Sequence, residues 1–226
     1  MVECWYRERC KSKYNQCTRS CVRYNEMYEL FSQSNLPMGK WGKMELKTTV
    51  DTQAFHRLNA IKRDIVNYIN EGNNLYIYSP ICGNGKTSWA IKLMQAYFSK
   101  IWAGNRFRRR AIFFSVPEFI DREHMRMNQD GEESEEFVEL RQAITECDLV
   151  VWDDIGSIKT TDYTHLLLLN FISHRQVNGK ANIFTGNLNG DYLNKQCGSR
   201  LASRIWNASE IIAFQGQDMR GAKRNG

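Results

Sequence analysis

The chain has no long apolar run: nothing in it approaches the ~20 consecutive apolar residues that a helix needs to cross a bilayer. Its first residues, Met1 to Arg7, lack the apolar stretch of a secretory signal. It also lacks an even set of cysteines. There are seven, which argues against a closed disulfide framework. Together these absences point to a soluble protein of the cytoplasm with no membrane partner. Charge of one sign is not missing but is only mildly in excess, at +6. That suits an anionic partner without requiring one. The 226 residues are enough for one large domain and a small appendage.

The most informative stretch is Ser79-Pro80-Ile81-Cys82-Gly83-Asn84-Gly85-Lys86-Thr87-Ser88. An apolar run, Leu75 to Tyr78, leads into it, and a helical pattern from Trp89 leads out. Strand, glycine-bearing loop, Lys-Thr and helix make the layout of a phosphate-binding loop. Gly83 and Gly85 let the backbone come close to an anion, so that the N–H groups from Cys82 through Ser88 can face phosphate oxygens. Lys86 would reach the terminal phosphates, and the Thr87 hydroxyl would hold Mg²⁺. The helix from Lys86, expected to run to about Trp102, adds its positive end to the same anion. One residue departs from the usual pattern: Pro80 stands where the first glycine belongs.

A second stretch, Cys147 to Gly156, is a buried strand ending in two carboxylates. Asp153 would bind Mg²⁺ through water, and Asp154 would polarise an attacking water. Glu is common at the second place, so the shorter Asp154 predicts slow turnover. A third, Ala181 to Asn187, is a strand ending in an amide that can bind both a terminal phosphate and the attacking water. Further on, Arg200 and Arg204 lie four apart, on one face of a helix. Arginines so placed can reach a neighbouring subunit's nucleotide. Ala54 to Ile69 is expected to be a helix stopped at Gly72, and Tyr163 to Ser173 a strongly apolar helix lying on the sheet.

The N-terminal part is different in kind. Cys4, Cys10, Cys17 and Cys21 follow a C-x5-C-x6-C-x3-C spacing. Four thiolates can close a tetrahedral Zn²⁺ site, although the spacing is looser than in common zinc ribbons, and four reduced structural cysteines are the alternative. Val22 to Phe31 reads as an amphipathic helix, which either packs on the cysteine segment or presents Tyr24, Met27, Tyr28 and Phe31 to a partner. Ser32 to Gly42 reads as a linker. Between the first and second buried strands, Arg106-Phe107-Arg108-Arg109-Arg110 could contact nucleic-acid phosphates with Phe107 stacking on a base, or be a solvated surface loop.

The order of these motifs resembles the AAA+ replicative helicase loaders of the DnaC/DnaI type, many of them carried by bacteriophages. The resemblance covers about residues 48 to 222. It rests on the Gly83–Thr87 loop, Asp148 to Gly156, Ile183 to Asn187 and Arg200 to Ile205. It implies an α/β fold, a P-loop NTPase with a five-stranded parallel sheet in the order 5-1-4-3-2 flanked by helices. It also implies a cysteine-rich helicase-docking segment over residues 1–45 and an ATPase domain over residues 46–226. By resemblance Lys86 and Thr87 are the Walker A residues, Asp153 and Asp154 the Walker B pair, and Asn187 the first sensor. Arg204 matches the arginine finger, with Arg200 a second candidate, and Arg220 matches a second sensor near the tail. The implied activity is ATP hydrolysis with Mg²⁺. The implied partners are a replicative DNA helicase, single-stranded DNA and further copies of the chain. A transposition helper ATPase of the IstB type shares these motifs and would instead bind duplex DNA and a transposase. The early cysteines favour the loader. A zinc-bearing DNA-binding module whose ATP site only regulates assembly is a third reading, separated from the others by turnover.

Overall fold

The computed structural model describes residues 10, 20–37, 50–102, 108–127, 135–157 and 161–219. Five strands form one parallel sheet: β1 (Asn74–Tyr78), β2 (Ala111–Ser115), β3 (Leu149–Asp153), β4 (Ala181–Gly186) and β5 (Glu210–Ala213). Their order is β2-β3-β4-β1-β5, which is the expected 5-1-4-3-2 read from the other edge. The middle strands are mostly apolar because helices cover both faces, with Asn182 and Thr185 the buried polar exceptions in β4. Successive residues alternate between those faces. Leu75, Ile77, Leu149, Val151 and Ile183 join one buried cluster. Tyr76, Val150, Trp152 and Phe184 join the other.

The first cluster is roofed by α1 (Val22–Ser32), α2 (Thr52–Arg63), α3 (Ile65–Asn70) and α4 (Lys86–Phe98). The second is roofed by α5 (Val116–Met127), α6 (Glu135–Glu146), α7 (Asp162–Val177) and α8 (Gly190–Ala202), with a π-helical turn at Ser203–Asn207. Three expected elements come out differently. The helix expected over Ala54 to Ile69 is two, broken at Asp64, whose side chain takes a local hydrogen bond from Asn67 Nδ2 at 2.7 Å. Such local side-chain bonds compete with the helical ladder. Helix α4 stops at Phe98, one turn short of Trp102. Helix α7 is longer at both ends than expected, opened by a capping box in which Thr161 and Thr164 satisfy each other's backbone N–H. Gly72 does end α3, at φ +70°.

Helix α1 packs on the body of the domain through part of the face that could have met a partner, while Tyr28 stays exposed; the cysteine segment it was also expected to pack on lies almost wholly outside the described residues. Met27, Leu30 and Phe31 are buried in the cluster that holds α4, and Phe31 meets Phe98 edge-on at 5.3 Å. Arg23 donates to the carbonyls of Phe98, Ser99 and Ile101 at 3.2, 3.0 and 2.8 Å. These are the open carbonyls at and just beyond the C-terminal end of α4, where a cation is favoured. The guanidinium also lies 4.8 Å above the Trp102 ring. The start of the expected linker is part of the body as well: Ser34 and Leu36 are buried, and the Ser34 carbonyl accepts the Phe113 N–H at 2.7 Å. That bond occupies part of the open edge of β2, which an exposed edge strand requires.

Trp152, bulkier than the aliphatic residue usual before the paired carboxylates, fits because its indole N–H donates to Asn182 Oδ1 at 3.0 Å. The same amide oxygen accepts from Arg175 Nε at 2.8 Å. Arg175 is fully buried and also donates to the carbonyls of Ile144, Cys147 and Ala181. One side chain thus ties the end of α6 to the starts of β3 and β4.

Candidate nucleotide site

At the end of β1 the chain turns through the expected phosphate loop. Gly83 has φ +74° and Gly85 φ +98°, a region open chiefly to glycine. Gly85 is the residue that precedes α4, so the helix starts with its N–H groups facing the loop. Ser79, not a glycine, organises the entry. Its hydroxyl accepts the Ile81 N–H at 3.1 Å and the Asn84 Nδ2 at 2.5 Å, while Pro80 between them is exposed. The missing first glycine is thereby accounted for: the turn needs a fixed φ and a local side-chain acceptor, and Ser-Pro supplies both.

A cavity of about 250 Å³ opens over this loop. It is lined by Cys82, Gly83, Gly85, Lys86, Thr87 and Ser88 from the loop and α4, by Asp153 at the end of β3 and Asp154 just after it, and by Thr185 and Asn187 from β4 and just after it. Asn84 does not line it. It lies beneath, turned toward Ser79 and the carbonyl of Gly216. The Lys86 ammonium is buried and donates to the carbonyls of Ile81 and Ser79 at 2.8 and 3.4 Å and to Asn84 Oδ1 at 3.4 Å. These acceptors are neutral, so an incoming phosphate is the stronger partner for a cation.

Asp153 accepts hydrogen bonds from Thr185 and Thr87. Burial raises its pKa above the ordinary carboxylate value, against those hydrogen bonds and the nearby Lys86 charge. Removal from water disfavours a bare carboxylate and favours one paired with a cation. Asp154 stands one residue on at φ +57°. Asn187 has its Oδ1 buried without a hydrogen-bond partner and its Nδ2 3.6 Å from the Cys82 sulfur. A hydroxyl, a desolvated carboxylate and an orphaned amide oxygen around one cavity fit a magnesium nucleotide. Thr87 and Asp153 would hold the ion, which supplies charge neutralisation between the outer phosphates.

Arg200 and Arg204 are both exposed, and neither lines the cavity of its own chain. They do not share a regular helix as expected. Helix α8 kinks at Gly198, φ +75°, and Arg204 sits in the π-helical turn, with its carbonyl accepting from Gln176 at 2.6 Å. Arg220, Cys4 and Cys17 lie outside the described residues, as do Arg106 and Phe107. Cys21 forms no disulfide, and among the described residues no group of three or more His, Cys, Asp or Glu side chains is placed to hold a metal. The expected phosphate-contacting arginines are partly committed elsewhere. Arg108 and Arg110 each donate to Asp148 at 2.6 Å. Burial alone would raise the Asp148 pKa, but these partners and Tyr97 outweigh it and hold the carboxyl below its ordinary value.

Two features escaped sequence reasoning. Thr185 is one; its position two residues before Asn187 was the available signal. The other is the segment after β5, which crosses back over the loop. Asp51 accepts the Gln215 and Gly216 N–H groups at 2.7 and 3.1 Å, Asn84 bonds the Gly216 carbonyl, and Met219 N–H donates to the Gly83 carbonyl at 3.1 Å. Nothing in the composition of 214–219 marks it.

Fold and site together define a parallel α/β sheet flanked by helices, with a phosphate-loop geometry at the end of its first strand. Solved structures with this fold include a DnaC helicase loader, with a TM-score of 0.61 at 22% identity over 76% of this chain and 94% of that one. They also include DnaI, with a TM-score of 0.56 at 16% identity over 82% and 93%. A replication initiator DnaA bound to AMPPCP and single-stranded DNA aligns with a TM-score of 0.60 at 17% identity over 81% of this chain. The chain spans about half the length of that DnaA, 52%. The likeness is one of fold. No protein-family model and no curated protein sequence matches the chain.

Proposed function

We propose that the chain is an ATP-dependent loader that binds a replicative DNA helicase and places it on single-stranded DNA, with ATP acting as the assembly and release switch. The observation that carries the ATPase part is the cavity at the end of the sheet. It gathers Lys86, Thr87, Asp153, Asp154 and Asn187 from three separate strand ends. In this reading Lys86 leaves the Ile81 carbonyl for the outer phosphates, and the loop N–H groups hold the inner ones. Thr87 and Asp153 bind the ion, Asp154 takes a proton from the attacking water, and Asn187 positions that water. A single Asp in place of the longer Glu gives slow turnover, adequate for a switch that acts once per assembly. Arg204, exposed at the molecular surface, completes the site of a neighbouring copy, with Arg200 as its alternative.

The loader part rests on the shared fold with DnaC and DnaI and on the cysteine-bearing segment before α1, which in this proposal docks on the helicase and holds zinc. The test is capture of a purified replicative helicase by the chain, with and without ATP, beside Lys86→Ala. Nucleotide-dependent capture that Lys86→Ala abolishes, together with loss of ATP binding in that variant, is the expected result. Full ATP affinity in Lys86→Ala would refute the phosphate-loop assignment. Capture of a transposase and duplex DNA instead of the helicase would refute the loader.

A further inference from the structure

Strands β3 and β4 are paired through backbone only as far as Trp152 opposite Phe184. Beyond that point Thr185 takes over. Its carbonyl accepts the Ile155 N–H at 2.9 Å. Its hydroxyl accepts the Asp154 N–H at 3.0 Å and donates to Asp153 Oδ1 at 2.6 Å. One residue therefore bonds all three residues of the turn that carries both carboxylates. A hydroxyl has one proton to give and two lone pairs. Giving that proton to the Asp153 carboxylate leaves the oxygen able to receive from Asp154, so with Asp153 ionised the two bonds are compatible only in this direction.

The turn needs such a hold. Asp154 sits in the left-handed region at φ +57°, which a side-chain-bearing residue keeps only when its surroundings over-determine it. Thr185 is 1% exposed. Valine would suit the same buried strand position equally well by shape and β-propensity, so sheet packing does not explain the hydroxyl.

We propose that Thr185 is a positioning residue for the hydrolytic site, its hydroxyl fixing the Asp153 carboxylate for the metal and the Asp154 backbone for the water in one arrangement. This rests on the ATPase reading above. Three measurements test it on the full chain: steady-state ATP turnover, affinity for a fluorescent ADP with magnesium and with EDTA, and the unfolding midpoint without nucleotide. Thr185→Val is expected to lower kcat about 10–100-fold and to lose the magnesium-dependent gain in affinity, with affinity in EDTA within about twofold of the parent. Thr185→Ser, which keeps the hydroxyl, is expected to stay within about threefold of the parent kcat. Thr185→Ala is read in the same way if the valine variant does not fold. Parental kcat and magnesium dependence in the hydroxyl-free variant would overturn the proposal. So would a serine variant as impaired as valine, since the methyl group would then be what matters. A parent chain that neither binds nor hydrolyses ATP would overturn the ATPase reading itself and this inference with it, whereas an active parent with an active valine variant would overturn this inference alone.

Discussion

Gly83→Ala separates two costs that the structure places at one atom. A Cβ added at Gly83 would lie 1.9 Å from Asp218 Oδ1 and 2.4 Å from its Cγ, an impossible contact. The backbone there has φ +74°, which alanine disfavours by about 1–2 kcal/mol. The clash looks worse but is the smaller term. Asp218 is exposed, and the clashing atoms are the far end of a short side chain that can rotate away. Losing a surface interaction of that carboxylate costs about 0.2–1 kcal/mol. The dihedral cannot be relieved without moving the loop. A chain of this length shifts its midpoint by roughly 2–4 °C per kcal/mol, so the dihedral alone predicts a fall of roughly 2–8 °C. Thermal unfolding of Gly83→Ala, Asp218→Ala and the double variant decides the matter. The double variant should remain about as unstable as Gly83→Ala, with a coupling no larger than the cost of Asp218→Ala alone, about 0.2–1 kcal/mol. If Asp218→Ala restores parental stability to Gly83→Ala, the clash was the cost and the reasoning is wrong. Gly83→Asn should lose less than Gly83→Ala, because asparagine tolerates this backbone region better.

The two buried-edge carboxylates should respond to pH with opposite signs. Asp148 has a lowered folded pKa, so its stabilisation is present above the ordinary value of 3.8 and lost as pH falls through the folded pKa; Asp148→Asn should destabilise at pH 7, by about 1 kcal/mol given its partial exposure, and match the parent in strong acid. Asp153 has a raised folded pKa, so ionising it opposes folding above 3.8, and Asp153→Asn should equal or exceed the parent's unfolding midpoint at pH 7 without nucleotide, which a fall in midpoint would contradict. Arg175→Met removes charge-assisted bonds to Asn182 and three buried carbonyls, worth about 1.5–3 kcal/mol each and not additive, so a loss of about 3–5 kcal/mol should appear as a lower urea midpoint, and an unchanged midpoint would refute the staple. Arg204→Ala should spare ATP binding while lowering turnover and self-assembly, and mixing it with Asp154→Asn chains should restore activity; no restoration would leave the arginine without a role in a neighbour's site.

The parts of the molecule that sequence reasoning reached are those with local signatures. The four apolar runs and the last short strand alternate with helical patterns, and that alternation with a right-handed crossover rule leaves few sheet orders. The phosphate loop is legible because its glycines, lysine and threonine are consecutive. What stayed hidden is long-range and carried by ordinary residues. Ser34 meets Phe113, Asp51 meets Gly216, and Arg108 meets Asp148, each pair far apart in sequence and none forming a periodic pattern. The break at Asp64 has no glycine or proline to announce it. Met27 and Phe31 fit both a packing face and a partner-binding face because an amphipathic stripe looks the same whether it faces the chain's own core or another protein.

Helix α4 begins at the phosphate loop and ends in the grasp of Arg23, and its thirteen residues make a rod about 20 Å long. Phe31 against Phe98 welds α1 to the far end of that rod with apolar contact as well as hydrogen bonds. A load applied to the chain ahead of α1 is therefore borne first by carbonyls at the tail of α4 and then, through a stiff element, by the Gly85 pivot at its head. The nucleotide loop and helix α1 sit at opposite ends of one lever.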